Sequence, residues 1–263
     1  LFEEVIKNNI SIKTLHDFKN LENIKLLKEL KLDFIIVFSF GLLLPKEILK
    51  IPKYGCVNIH TSLLPKWRGA SPVQHALLNN EKKTGYTFII MNQGLDEGNI
   101  VYKESIKIYD EYNYSSLLDK LVKLASKSLV QNIEGLANNT IKPVAQNHSE
   151  ASYCYRIKKK DTYINFDCSA SEVLGKIRAF SPTPGAKCYI KGELIKILDA
   201  RIDGENKINK KFGCVIDKNL LISCKYGFIR FIKVQRAGRK AMNAKELLNG
   251  WDIEVGTIIN EEK

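Results

Sequence analysis

Asn58 and His60 stand two apart in the run Asn-Ile-His-Thr-Ser-Leu-Leu-Pro-Lys-Trp-Arg at 58–68, and an acid, Asp96, lies between glycines in Gly94-Leu95-Asp96-Glu97-Gly98. On a β-strand, alternate residues face the same side, so an amide and an imidazole emerge together. The amide donates without charge, and the imidazole donates a hydrogen bond or carries a proton. Side by side they suit stabilisation of negative charge on a carbonyl oxygen, which is what transfer of an acyl-type group requires. Asp96 follows a strand ending near Asn92. That is the carboxyl end of a strand, where open α/β sheets place their sites. A carboxylate there relays a proton through water or raises the basicity of a neighbouring imidazole. Ser62 has no G-x-S-x-G elbow around it and is excluded as a nucleophile.

Elements that must hold these groups follow from periodicity. Leu32–Phe38 is a dense apolar run ended by Gly41 and reads as a buried strand, with a short helix over Leu43–Leu49. Cys56–His60 is the next strand, and Ser71-Pro72 places a cap residue before a proline at the first helical position. Thr87–Met91 and Ile100–Ile108 read as strands, and Tyr114–Leu136 as a long amphipathic helix. Strands alternating with helices predict a wound α/β sheet over 1–142. From 143 to 160 the pattern dissolves into polar and basic residues, which predicts a linker. Beyond it, a helix near Ser171–Phe180 precedes short strands near 186–190, 194–202, 213–217, 219–224 and 227–234. Frequent turns between short strands favour a small β-barrel over 161–263.

Composition narrows the function classes. The 263 residues are 44% hydrophobic and 27% charged, which is ordinary for a globular protein, and the densest apolar stretch is broken by Asp33, Ser39 and Gly41, so no membrane span is expected. The opening LFEEVIKNNIS lacks the pattern of a signal peptide, and a first residue of Leu rather than Met predicts that the chain begins within a longer protein. Cysteines at 56, 154, 168, 188, 214 and 224 show no C-x-x-C or close histidine pairing. Neither a metal site nor a disulfide framework is indicated, and a reducing cytoplasm fits. Of the net charge of +12, residues 1–150 carry 19 Lys/Arg against 16 Asp/Glu, whereas 151–263 carry 22 against 13. A basic C-terminal half predicts an anionic macromolecular partner, nucleic acid before membrane. Lysine enrichment in an A/T-rich genome explains the same excess equally well. His16, His75 and His148 have no matching partners and read as surface or core histidines.

The combination is more specific than its parts. Asn58-x-His60, Ser62-Leu63-Leu64-Pro65-x-x-Arg68-Gly69-Ala70-x-Pro72, Thr84-Gly85-x-Thr87, Met91 and Gly94-Leu95-Asp96-x-Gly98 resemble the formyltransferase family that uses 10-formyltetrahydrofolate. Phe40-Gly41-Leu42-x-Leu44-Pro45 resembles its segment beside the pterin pocket, and Arg178-Ala179-Phe180-x-Pro182-x-Pro184-Gly185-Ala186 the hallmark of its C-terminal barrel, with Ser181 and Thr183 where relatives commonly carry Asn and Trp.

This resemblance implies a Rossmann-like formyltransferase domain followed by a small OB-like barrel. It implies a monomer that moves the formyl group of 10-formyltetrahydrofolate, with no metal, to methionine carried by initiator tRNA. Asn58 and protonated His60 are then expected to stabilise the oxyanion, and Asp96 to keep His60 charged and move the amine proton. Phe40, Gly41, Leu42, Leu43, Ser62, Leu63, Leu64 and Pro65 are the expected folate wall. Arg68 suits either a ligand contact or pinning of its loop. Lys158, Lys159, Lys160, Arg236, Arg239 and Lys240 suit tRNA phosphates or plain solvated surface. In the family, a further amino-terminal segment supplies the first strand and a basic loop. A non-catalytic RNA-binding homologue and an amino-sugar formyltransferase are the alternatives.

Overall fold

A computed structural model of the chain describes residues 2–15, 17–204 and 211–260, so His16 lies outside the described residues. Two short helices, α1 (Phe2–Lys7) and α2 (Leu21–Glu29), lead in; Asn20 caps α2 by accepting from Glu22 N. The first sheet contains β1 (Ile35–Phe38), β2 (Cys56–His60), β4 (Lys83–Ile90) and β5 (Asn99–Lys107), in the order β1-β2-β4-β5. Between these strands lie α3 (Lys46–Leu49), the two-residue β3 (Arg68–Gly69) and α4 (Pro72–Leu78). β1 and β2 run parallel, while β4 and β5 are antiparallel additions, so the predicted wound sheet is mixed.

β4 is buried at every position from Thr84 to Ile89. That continuous burial is what a central strand covered on both faces requires. One cover is α5 (Tyr114–Ala137), whose buried Leu117, Leu121 and Ala125 recur at four-residue spacing and whose start is closed by a capping box between Asn113 and Ser116. Pro72 opens α4 as expected from its fixed φ, yet Ser71 makes no side-chain cap bond.

The predicted linker is structured. Val144 exchanges backbone hydrogen bonds with Ile100, and β6 (Tyr153–Cys154) pairs in parallel with β3. Next, α6 (Ala170–Phe180) starts from a Ser169/Glu172 capping box and packs on α4. A Cβ at Gly175 would come within 2.8 Å of Leu77 O, so this close helix crossing needs glycine.

The C-terminal sheet is antiparallel, in the order β11-β10-β8-β7 with β9 also on β10. Its strands are β7 (Ala186–Ile190), β8 (Glu193–Ile202), β9 (Leu221–Ser223), β10 (Phe228–Arg236) and β11 (Met242–Asn243), followed by α7 (Ala244–Gly250). The expected strand at 213–217 is instead two isolated bridges, Cys214 to Ile258 and Val215 to Ile222. Among the described residues no ladder joins β7 to β11, so the barrel-like part is a sheet with open ends. One continuous core runs from Val57, Phe88 and Leu121 through Ile177 and Phe180 to Ile197 and Phe231, joining the two sheets. No described helix is long and apolar enough to cross a membrane.

Candidate active site

β2 presents Asn58 and His60 at its end, and Thr87 of β4 sits opposite His60. Thr87 Oγ1 donates to Ser62 O at 2.7 Å and accepts from Leu64 N at 3.1 Å, so a buried hydroxyl fixes the chain as it leaves the strand. Ser62 Oγ then donates to Lys66 O, closing the loop on itself. The loop ends at Trp67, which is left-handed at φ +61° and whose carbonyl oxygen lies 2.7 Å from His60 Nε2. One backbone group thus holds the imidazole from behind.

Asp96 closes the site from the other side. Its Oδ1 accepts from Asn58 Nδ2 at 3.1 Å, its Oδ2 accepts from Gly69 N at 2.8 Å, and His60 Nδ1 is 3.5 Å from Oδ2. The three residues singled out in the sequence therefore meet, although Asp96 lies 38 positions after Asn58. Glycines flank Asp96 at 94 and 98. In the structure it is Asp96 itself that is left-handed, at φ +52°, while Gly98 is needed because a Cβ there would fall 1.9 Å from Ile90 O. A non-glycine residue in that region costs about 1–3 kcal/mol unless its surroundings hold it.

Gly69 is required on two grounds. It has φ +115°, and a Cβ would meet Cys154 O at 2.2 Å across the β3–β6 pairing. The same pairing buries Cys154, whose thiol is pushed up to about 11, chiefly by burial and further by the Asp96 charge. Arg68 is 1% exposed, and its contacts pin the loop. Its Nε and Nη2 donate to Gln146 Oε1 at 3.2 and 2.8 Å, and Nη1 donates to Tyr153 Oη at 3.3 Å.

A cavity of about 600 Å³ opens beside the triad, lined by Asn58, His60 and Asp96 together with Phe38, Phe40, Gly41, Leu42, Ile59, Pro72, Val73, Tyr114 and Arg156. Of the residues expected to form the folate wall, Phe40, Gly41 and Leu42 line this cavity. Ser62, Leu63, Leu64 and Pro65 do not line this cavity, and Ser62 and Leu64 are fully buried. Leu43 is also absent from the lining and is exposed. Lys158, Lys159, Lys160, Arg239 and Lys240 are exposed. Arg236 is not free in this way, since its Nε and Nη2 donate to both carboxylate oxygens of Glu193 and its guanidinium stacks over Trp251.

Sequence reading missed Gln146, Ser152 and Arg156, all in the stretch taken as linker. Their polar character gave no periodic signal, and only the packing of that stretch against the Trp67 and Asp96 loops brings them to the site. His148 lies within 4.0 Å of Glu97, and His75 is buried with its Nδ1 at 2.9 Å from Ser71 O.

Comparison with known proteins bears directly on this geometry. Residues 5–133 match the formyl transferase family and 156–252 match the formyl transferase C-terminal domain. The methionyl-tRNA formyltransferase of Clostridium tetani is 37% identical over 263 residues, covering 98% of this chain and 84% of that protein. Among solved structures, methionyl-tRNA formyltransferase from Clostridium thermocellum superposes with a TM-score of 0.61 at 22% identity, covering 87% of this chain and 92% of that one. WlaRD, a sugar 3N-formyl transferase solved in the presence of dTDP and 5-N-formyl-THF, superposes with a TM-score of 0.65 at 25% identity over 91% of this chain and 82% of that one.

Proposed function

The chain belongs to the formyl transferase family, and we propose that it is an enzyme formylating the amino group of methionyl-tRNA for translation initiation, with 10-formyltetrahydrofolate as donor and the initiator tRNA as acceptor. The observation that carries the chemistry is the meeting of Asn58, His60 and Asp96 at the mouth of a cavity with apolar walls. Phe38, Phe40, Leu42 and Ile59 offer flat, apolar surface of the kind a pterin ring needs, and about 600 Å³ lies within the range of small-molecule sites. The donor supplies the formyl carbon.

Each residue of the chain has a distinct part. Asn58 uses one amide hydrogen on Asp96 and has a second for the formyl oxygen, where negative charge gathers as the amine attacks. His60 Nε2 is taken by Trp67 O, so the nitrogen available to that oxygen is Nδ1, which it shares with Asp96. Asp96 accepts the proton that the attacking amine loses, directly or through one water. The chemistry is balanced within the site: a C–N bond forms to the amine, the C–N bond to the donor breaks, and the proton released passes to the departing nitrogen. Lys158, Lys159, Lys160, Arg239 and Lys240 supply the charge for tRNA phosphates, and the enzyme works as a cytoplasmic monomer.

The test is transfer of labelled formyl from 10-formyltetrahydrofolate to methionyl-tRNA, with an amino-sugar nucleotide as competing acceptor. Product on the tRNA alone is expected. Product on the sugar alone overturns the acceptor, and binding of tRNA without any turnover overturns the enzymatic reading.

A further inference from the structure

We propose that Gln146 is a positioning residue for formyl transfer: its amide latches the Asp96 loop onto the 144–154 segment, so that this segment sets where the catalytic carboxylate stands. The inference rests on the function proposed above and concerns a stretch lying between the two family matches, which end at 133 and resume at 156.

Gln146 is 6% exposed, and its hydrogen-bonding capacity is fully used. Nε2 donates one hydrogen to Asp96 O and the other to Gly98 O, both at 2.8 Å, while Oε1 accepts twice from Arg68. A primary amide has two donors and two lone pairs, and all four are satisfied here. A carboxylate in its place lacks the donors, and a side chain without polar atoms lacks everything. The anchor on which the latch hangs is itself firm. Val144 pairs with Ile100, Ser152 O accepts from Arg68 N at 2.8 Å, and Ser152 Oγ accepts from Trp67 N at 3.0 Å. The same segment therefore grips both catalytic loops, the one carrying Trp67 O behind His60 and the one carrying Asp96.

The latch bears on chemistry because of where it acts. Asp96 is the only described non-glycine residue of 92–98 with positive φ. Its backbone has an easier conformation to fall into, and Gln146 holds the carbonyl that would move first. Rotation there swings the carboxylate away from Asn58, Gly69 and His60 together. A displacement of about 1 Å at a reacting group costs on the order of 100-fold in rate.

The experiment uses the full chain and two variants at one position. Gln146→Glu keeps acceptor oxygens for Arg68, and thus the anchor, but turns an acceptor toward the two carbonyls. Gln146→Met removes both halves. Asn147→Ala, an exposed cap of the neighbouring turn, is the control. Each is measured for kcat and KM and, independently of activity, for amide hydrogen exchange across 92–98. Expected for Gln146→Glu is a kcat lowered about 10- to 100-fold, KM values within about threefold of wild type, and faster exchange confined to 92–98. Asn147→Ala should match wild type throughout. Wild-type kcat in a folded Gln146→Glu overturns the proposal, as does unchanged exchange across 92–98. A loss of thermal stability with kcat intact also overturns it, because that is the signature of a merely structural residue. Failure of the unmutated chain to formylate methionyl-tRNA instead overturns the acceptor reading, and the exchange measurement still decides the latch.

Discussion

Replacing Asp96 by Asn changes one atom in a place where both oxygens are already acceptors. Oδ1 receives the Asn58 amide at 3.1 Å and Oδ2 receives Gly69 N at 2.8 Å, with His60 Nδ1 at 3.5 Å. With the new NH₂ toward Gly69 N a donor is left unpaired, and toward Asn58 it is paired only if that amide turns over, in a site whose carboxylate is only 14% exposed. An unsatisfied buried polar group costs about 1–3 kcal/mol, which in a chain of this size lowers Tm by about 2–10 °C. The chemical loss is separate and larger. Removing a proton acceptor costs about 10²- to 10⁴-fold, or about 2.7–5.5 kcal/mol of transition-state stabilisation. Asp96→Asn should therefore fold, melt slightly earlier, and show a single-turnover rate at least about 100-fold below wild type at saturating donor and methionyl-tRNA. A folded variant with a rate within about threefold of wild type would refute the assignment of Asp96 as proton acceptor. An unchanged Tm with a lowered rate would mean that the Asn58 amide turns over to accept from the new NH₂.

Gly69→Ala should be far more disruptive than its size suggests, since a methyl 2.2 Å from Cys154 O forces β3 and β6 apart and withdraws the N–H given to Asp96; Gly250→Ala, with open space around it in α7, should instead raise stability by about 0.5–1 kcal/mol, and similar melting curves for the two would contradict the geometry. Combined replacement of Lys158, Lys159 and Lys160 by Ala should reduce the steepness with which tRNA affinity falls with salt by about one unit or more, whereas Arg236→Ala, removing a guanidinium already paired with Glu193, should leave that slope unchanged. Burial pushes the thiols of Cys56 and Cys154 up to about 11 and that of Cys224 to about 12, so native protein at pH 8 should react slowly with a thiol reagent at these positions and quickly once unfolded; because each pKa is raised on folding, their stabilising contribution is complete below pH 9 and is lost as pH climbs toward 11, and mass spectrometry showing rapid native labelling of Cys154 at pH 8 would be inconsistent with its burial.

Much of the fold was legible because its signals are local. The apolar run before Gly41, the four-residue stripe of α5 and the proline opening α4 each act within one element. The site's three polar groups were legible for a different reason: two of them share a strand face, and the third stands in a motif with few other uses. Illegible parts depend on contacts distant in sequence. Nothing near Arg68 announces that its partner is Gln146, 78 positions away, and nothing in 143–160 distinguishes a solvated linker from a segment that pairs with β3 and β5. Arg236 shows the converse, a basic residue in a plausible phosphate-binding run whose charge is committed to Glu193 across the sheet.

By itself, then, the sequence determined which residues could do the chemistry and which strands and helices would carry them, since residue type and short-range periodicity are properties of the chain alone. Only the tertiary structure decided how those residues are held: Asp96 in a left-handed turn between Asn58 and Gly69, His60 backed by Trp67 O, and Gln146 tying the supposed linker to both loops. Hydrogen bonds between groups 27 to 85 residues apart exist only once the chain has closed around them, and their energetic value comes from the burial that closure creates.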